Sequence, residues 1–591
     1  MTYPQAVLFA LLGAIMVLMF WGRWRHDLVA FAGLMTAVLL GIVPSADAFS
    51  GFGNPTTLIV ALVLIATAGL SRSGAVSRLT RLIAGTERGT TGHILVFGSV
   101  GGFLSGFMNN IAALAMLMPV DLQAARKAKR AAGLTLMPLA FATILGGMLT
   151  LIGTPPNLIV SGFRADVLGE PYRMFDFLPV GGAVALAGIA FIALIGWRLL
   201  PQRTAEAGGN DGPQRRYIAA LVVAPGSLPN LRRVADARAE AQKHSVRITG
   251  VRRRGQDIAG NLDEQQIEDG DVLILRADPA ALDEYRSTQN LAFPDGRSEP
   301  RARPDSEGQH LVECLVPAAS DLVGRSVQSF GMLNRHDSVL IGMRRRGVAL
   351  REALARQEVQ SGDLLLMLMP ERRSDEVLQA ASLLRIDGGS LPVQRERHMR
   401  TAITLFALAV LATSLGLTTM PIALGVVIIA YVLFGVLSVN EIYSHVDWPV
   451  IVLLGSMIPL GLALDETGGT ALIAGGLASL TEGYGPSITL LLLMAATMML
   501  SDILNNNATT IIAAPVSIRL AEEIGVQPDA FLMGVAVAAS CAFLTPIGHQ
   551  NNTLILGPGN YQFGDYWRMG LPLELIVLAV SVPLLPIVWP F

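Results

Sequence analysis

Charge is scarce in this chain: only 15% of its 591 residues are Asp, Glu, Lys or Arg, against 52% hydrophobic residues. Soluble proteins carry about a quarter charged residues, so most of this chain is expected to lie in lipid. The formal net charge of −2 provides no basic surface, and neither zinc-finger nor helix-turn-helix spacing occurs, which excludes nucleic acid as a partner. Cysteine is nearly absent. Cys314 in a polar region and Cys541 in an apolar run are too few, and too differently placed, for a disulfide framework or a thiolate metal site. There is no P-loop, dinucleotide fingerprint or nucleophile–base constellation, so neither an enzyme nor an ATP-driven pump is expected. The first apolar run, 6–20, lacks the charged leader and small-residue cleavage site of a signal peptide and reads as a retained span.

What charge there is falls mostly in the middle. Apolar stretches of spanning length fill about 5–200 and 401–590, whereas 201–400 holds most of the Arg, Asp and Glu. The expected organisation is a membrane half over 1–200, a soluble insert from 201 to 397 and a second membrane half over 398–591. The two membrane halves match each other in sequence. Ser105-Gly-Phe-Met-Asn109-Asn110-Ile-Ala112, reaching Pro119, overlays Ser501-Asp-Ile-Leu-Asn505-Asn506-Asn507-Ala508, reaching Pro515, at 501 − 105 = 396. Thr150-Leu-Ile-Gly153-Thr-Pro-Pro-Asn157 overlays Thr545-Pro-Ile-Gly548-His-Gln-Asn-Asn552 at 545 − 150 = 395. Pro55 with Pro449 and Gly74 with Gly468 keep an offset of 394. Blocks at nearly constant offset point to the inverted repeats on which many secondary transporters are built.

Lys and Arg in the short loops set the orientation, since cytoplasmic loops carry the positive excess. Arg23 and Arg25 put the first loop inside; Arg72, Arg78, Arg81 and Arg88 are inside again, and so is the cluster Arg126 to Arg130. The apolar unit between the last two groups must enter and leave on one side. It is therefore predicted to be a re-entrant hairpin over about 93–119, followed by a broken helix over about 131–160. Symmetry predicts a second hairpin over about 486–516, entering from the opposite side, and a second broken helix over about 529–556. The insert is then cytoplasmic, and the two hairpin tips meet near the bilayer midplane.

Asparagine suits such tips because its amide serves an anionic oxygen and its carbonyl ligates Na⁺, with no formal charge at midplane. Ser105 and Ser501, four residues before the first Asn of each tip, are expected to add hydroxyls on the same helical face. Gly and Pro in Thr154-Pro-Pro-Asn157 and Thr545-Pro-Ile-Gly548 break the following helices, freeing carbonyls for a cation and amides for an anion. The competing reading is that small and polar residues here only pack membrane helices. His549 is the titratable side chain within these motifs, either a coupling residue or a neutral hydrogen-bond donor. Asp502 stands where the first half has Gly106; it is either a cation or proton site or a paired residue at the cavity edge.

Paired Asn tips followed by Ala and Pro, each with a Thr/Pro/Gly/Asn break, resemble the divalent anion:sodium symporter family of the ion transporter superfamily. The resemblance covers both membrane halves. That family usually shows Ser-Asn-Thr at each tip; here Asn109-Asn110-Ile111 and Asn505-Asn506-Asn507 keep only the middle Asn. The resemblance implies substrate contacts at Asn109, Asn110 and Asn157 in the first half, and at Asn506, Asn507, Thr545, His549 and Asn552 in the second. It implies Na⁺ sites at Ser105, Asn109, Asn110 and Gly153, and at Ser501, Asn505, Asn506 and Gly548. Na⁺ is then the coupling ion, the protein a homodimer of the bacterial inner membrane, and the motion elevator-like. The run Thr545 to Thr553, continuing to Gly557-Pro-Gly559, resembles a sulfate-linked branch whose members carry a soluble insert. Sulfate is the first expectation and a di- or tricarboxylate, coupled to Na⁺ or H⁺, the second. A channel is disfavoured by the lack of a carbonyl-filter sequence, and a non-transporting nutrient sensor by the retention of both tips.

The insert repeats internally. Arg252-Arg-Arg-Gly255 through Gly270-Asp271 recurs as Arg344-Arg-Arg-Gly347 through Gly362-Asp363 at 347 − 255 = 92, and Pro225 and Pro317 keep that offset. Alternating apolar strands around a Gly-Asp turn predict two α+β modules, 201–296 and 310–397, joined by a linker at 297–309. They resemble the TrkA C-terminal (RCK C-terminal) domains that regulate ion transport proteins. The arginines Arg252, Arg253, Arg344 and Arg345 either attract the phosphate of a regulatory nucleotide or form a solvated basic face.

Overall fold

The computed structural model of the protein describes residues 2–591 apart from 22–23, 75–88, 129, 202–216, 225–226, 228–232, 255, 259–261, 294–308, 318–319, 331, 333–337, 346–347, 351–356, 371–373 and 387–397. The linker up to residue 308, Pro225, Gly255, Gly347 and the basic residues Arg23, Arg78, Arg81, Arg88 and Lys129 lie outside the described residues.

The first half runs α1 (Tyr3–Trp21), α2 (His26–Leu39), α3 (Pro55–Arg72), α4 (Thr90–Ser105), α5 (Asn110–Lys127), α6 (Gly133–Gly147), α7 (Pro155–Leu168) and α8 (Leu178–Phe191). A π-turn at Ile192–Gly196 carries α8 on to Leu199. Proline sits at the start of α3, α7 and α8, where its missing N–H costs nothing and its fixed φ suits a helix. Asn54 caps α3 by accepting from the Thr56 amide at 2.9 Å.

The middle holds two small antiparallel sheets. Strands β1 (Tyr217–Val222), β2 (Arg247–Arg253), β3 (Gln256–Asp257) and β4 (Val272–Ala277) lie in the order β1-β4-β2-β3. Helix α9 (Val234–Lys243) precedes β2 and α10 (Pro279–Thr288) follows β4. Strands β5 (Gln309–Leu315), β6 (Val339–Arg345), β7 (Val348–Ala349) and β8 (Leu364–Pro370) repeat that order, with β9 (Leu384–Arg385) added beside β5. A bulge between Ile248 and Gly250 recurs between Leu340 and Gly342, again 92 residues on. Strand β8 is buried on both faces: Leu365, Met367 and Met369 join the second sheet's own core, while Leu364, Leu366 and Leu368 belong to the core that includes Tyr217 of the first sheet. The Tyr217 hydroxyl donates to Glu313 at 2.6 Å.

The second half runs α11 (Met399–Ser414), α12 (Met420–Leu433), α13 (Trp448–Glu466), α14 (Gly469–Leu480), α15 (Pro486–Ile503), α16 (Asn506–Glu523), α17 (Asp529–Ser540), α18 (Gln550–Leu556) and α19 (Tyr566–Val588). Turns repeat between the halves at an offset of 394. Gly41 and Gly435 take φ of +71° and +70° after α2 and α12, and Gly74 and Gly468 take +81° and +78° after α3 and α13. These left-handed positions end the helices at the cost only glycine avoids.

Among the described residues, five helices are long and apolar enough to cross a membrane: α3, α8 with its continuation, α13, α15 and the last one from Phe563. Helices α6 and α17 instead are buried on every side, from Thr135 to Gly147 and from Ala530 to Ser540. Apolar residues all round a helix fit a protein interior, not an interface with water. The chain is a mostly helical, multi-pass membrane protein. The hairpins run longer than the sequence implied, to Lys127 and Glu523, because Pro119 and Pro515 sit inside α5 and α16 without ending them.

Candidate functional site

Each hairpin turns at its asparagines. Helix α4 ends at Ser105, the chain reverses over 106–109, and α5 starts at Asn110. Asn109 accepts from the Ile111 amide at 3.0 Å, capping α5. Asn505 caps α16 in the same way, from the Asn507 amide at 2.8 Å. The sequence expectation that Ser and the first Asn share a helical face is corrected here, because the helix stops between them. Ser105 donates to Oδ1 of the second Asn, Asn110, at 2.7 Å, and Ser501 shares its one proton between the Ala539 carbonyl at 2.6 Å and Asn506 Oδ1 at 3.0 Å. Ser105 and Ser501 are both fully buried.

Each broken helix is braced by one asparagine. Asn157 Nδ2 donates to the carbonyls of Gly147 at 3.3 Å and Thr150 at 2.8 Å. Asn552 Nδ2 donates to Ala542 and Thr545, both at 2.9 Å, ten and seven residues back as in the first half. Oδ1 of Asn157 and of Asn552 is buried and accepts no hydrogen bond from the described residues. The amides expected to meet substrate therefore hold the break open, and the carbonyl oxygens are what these side chains still offer. The breaks are also tied to the hairpins. Thr150 donates to the Gly106 carbonyl, and Thr545 to that of Asp502 at 2.7 Å. Thr545 also accepts from the Gly548 amide at 3.0 Å. Gly153 and Gly548 are needed for close approach: a Cβ on Gly153 would overlap the Gly147 carbonyl, and one on Gly548 would stand 3.0 Å from Asp502 Cα.

The halves interlock. Helix α7 packs against α16 and α17, and α18 packs against α5 and α6. At the junction Asn551, which the sequence reading did not single out, donates to the Asn110 carbonyl at 3.2 Å and to Thr143 Oγ1 at 2.9 Å. His549 caps α18 through Nδ1, which accepts the Asn551 amide at 3.0 Å. An Nδ1 that accepts leaves the ring proton on Nε2. That nitrogen lies 3.4 Å from Asn110 Nδ2, whose partner oxygen is already taken by Ser105. With the Asn110 amide oriented to accept from Ser105, two donors stand side by side at the hairpin tip, and an acceptor between them would satisfy both.

Asp502 is buried beside the second tip and accepts the Leu544 amide at 2.9 Å. Its carboxyl lies against that of Glu574, on α19, which accepts the Phe543 amide at 3.4 Å. Glu574 carries no motif around it in the sequence and was not legible as part of this region.

The basic positions of the insert are already engaged. Arg253 holds Asp271 through Nε and Nη2, both at 2.8 Å, and Arg345 holds Asp363 at 2.9 and 2.7 Å. These bonds raise both guanidinium pKa values above their ordinary range, so the pairs stay charged. Arg344 lies over the Tyr217 ring, 5.4 Å from its centroid, and Arg252 stands opposite Asp257 on the hairpin β2–β3. A phosphate at Arg253 or Arg345 would have to displace a carboxylate.

On the family and the relatives it matches, the chain is a membrane transporter, not an enzyme. The chain belongs to the citrate transporter (CitMHS) family, whose model matches residues 16–514 and again 483–591, and it is a secondary transporter. It is 30% identical over 95% of its length to an uncharacterized transporter of Synechocystis, covering 93% of that protein. It is 29% identical over 98% of its length to the uncharacterized transporter YfbS of Escherichia coli, covering 98% of it. A sodium/sulfate cotransporter of Chlamydomonas reinhardtii is 24% identical over 61% of this chain and 43% of its own.

Proposed function

We propose that this protein carries a small divalent anion, sulfate first, across a bacterial inner membrane in symport with Na⁺. The observation that carries the reading is the pair of convergent donors, Asn110 Nδ2 and His549 Nε2, at a buried tip whose Ser–Asn bond recurs in the other half. Neutral donors bind an oxyanion without the cost of burying a formal charge in lipid. Ser105, Asn109, Asn110 and Gly153 on one side, and Ser501, Asn505, Asn506 and Gly548 on the other, supply hydroxyl and carbonyl oxygens suited to Na⁺. Asn157 and Asn552 add their unpartnered Oδ1 atoms. Sulfate is favoured by the cotransporter relative and Na⁺ by the same name.

On this reading the membrane halves are inverted repeats that move, elevator-like, within a homodimer. The insert of two TrkA-C-like modules, 201–296 and 310–397, faces the cytoplasm. A second substrate reading, a di- or tricarboxylate, is favoured by the description of the matched family.

The test is uptake of labelled sulfate into proteoliposomes, with and without an inward Na⁺ gradient and with succinate and citrate as competitors. Na⁺-dependent accumulation is expected, abolished by Asn110→Ala and by Asn506→Ala in protein that still elutes as folded. Unimpaired uptake in both variants would sink the assigned tips; accumulation of succinate or citrate alone would move the substrate to the second reading.

A further inference from the structure

The two modules of the insert build the same tight turn. In the first, Gly270 takes φ of +91°, its amide donates to the Val223 carbonyl at 2.8 Å, and Asp271 is buried under the Arg253 fork. In the second, Gly362 takes φ of +84°, its amide donates to the Val316 carbonyl at 2.8 Å, and Asp363 is buried under the Arg345 fork. Their surroundings differ. A Cβ on Gly270 would meet nothing within 4 Å, whereas one on Gly362 would stand 3.3 Å from the Thr553 carbonyl. A Cβ on Gly557 would overlap the Gly362 carbonyl itself. One turn is open, and its twin is seated backbone to backbone on the end of α18.

That helix is short and belongs to the site. His549 caps it, Asn551 ties it to the first hairpin tip, and Asn552 braces the break behind it. Gly557 follows it directly, five residues from Asn552, and a helix transmits position at about 1.5 Å of rise per residue with little give. Both the seated turn and its support are stiff. Arg345 holds Asp363 bidentately, and the Asp363 carboxylate also accepts the Gln360 amide at 2.8 Å.

We infer that the insert governs transport through this contact: the 361–363 turn, seated on Gly557, is a brake that holds α18 in one arrangement of the site. The inference rests on the transporter reading above. A contact made in one arrangement and lost in another stabilises the first and slows departure from it. Any carrier that must rearrange its breaks between two sides of the membrane has to unseat the turn on each cycle. Among the described residues nothing stands within 4 Å of the Cβ position at Gly270, and the twin turn exerts no such hold.

Gly557 gives a clean lever. Its φ of −69° and ψ of −58° suit any residue, so Gly557→Ala strains nothing locally and acts only against the Gly362 carbonyl. The full-length protein in proteoliposomes should take up sulfate about fivefold faster as Gly557→Ala, the low end of typical coupling between sites, with KM unchanged. Gly564→Ala, where an added Cβ meets open space, should match wild type. In the reverse direction, exposed Gln360→Cys with half-buried Pro558→Cys, joined by a flexible bis-maleimide linker, should slow uptake by a similar factor; native Cys314 and Cys541 are buried. Equal rates in wild type, Gly557→Ala and the linked protein would overturn the brake. Silence in wild type with uptake restored by Gly557→Ala would support it, and silence in both would overturn it. Uptake that survives Asn110→Ala and Asn506→Ala counts against the proposed function instead, and the Gly557→Ala to wild-type ratio still decides this inference.

Discussion

At the scale of single residues, each hairpin tip divides its work between adjacent asparagines. Asn109 and Asn505 spend their carbonyls on capping; Asn110 and Asn506 receive the serine hydroxyl and keep their amide nitrogens for another partner. The position of Asn110 depends on Gly147, because a Cβ there would stand 2.6 Å from Asn110 Oδ1. Gly147→Ala is therefore expected to push the amide off Ser105 and cut uptake about 10- to 100-fold, the usual consequence of misplacing a binding group by about 1 Å. The unfolding temperature in detergent should fall far less, and a variant as active as wild type would show that Asn110 does not need this placement. The motif asparagines were readable from residue type and spacing alone. Asn551 and Glu574 were not: Asn551 stands in the repeated block opposite Pro156, Glu574 in no repeated block, and both gain their roles from neighbours more than 30 residues away, Asn110 for one and Phe543 for the other.

At the scale of elements, the halves clasp each other reciprocally through one tyrosine from each. Tyr172, after α7, donates to the Asp529 carbonyl at 3.1 Å at the start of α17. Tyr561, after α18, donates to the Gly133 carbonyl at 2.5 Å and accepts from the Met137 amide at 2.8 Å at the start of α6. The two broken helices are thereby anchored at their outer ends by the opposite half. Tyr561→Phe removes both bonds at a buried site and should cost about 1–3 kcal/mol, read as a lower unfolding temperature of the purified protein. No loss would mean that packing alone holds the clasp. The first hairpin has its own fastening away from the tip: buried His93 on α4 meets Asp121 on α5 at 2.5 Å, and Thr135 on α6 donates to the same carboxylate at 2.7 Å. Charged or polar groups so deep in the protein are kept because each satisfies the other.

At the scale of the whole molecule, duplication explains most of the design. On the proposed function, the two tips hold two Na⁺, and two Na⁺ with one divalent anion carry no net charge. Initial sulfate uptake is then expected to rise with the square of Na⁺ concentration when Na⁺ is low and to ignore an imposed membrane potential, since a potential does work only on net charge. A first-order dependence, or a strong response to a potassium-diffusion potential, would remove one of the two sites. The sequence by itself determined the membrane class, and it is the source of the proposed three-part layout, repeats and paired tips, because composition and spacing survive without coordinates. Only the tertiary structure decided which atom of each asparagine is committed, how the halves interlock through His549 and Asn551, and that one of two identical turns rests on α18. These depend on contacts between residues hundreds of positions apart, and no local pattern encodes which of two equal turns finds a neighbour.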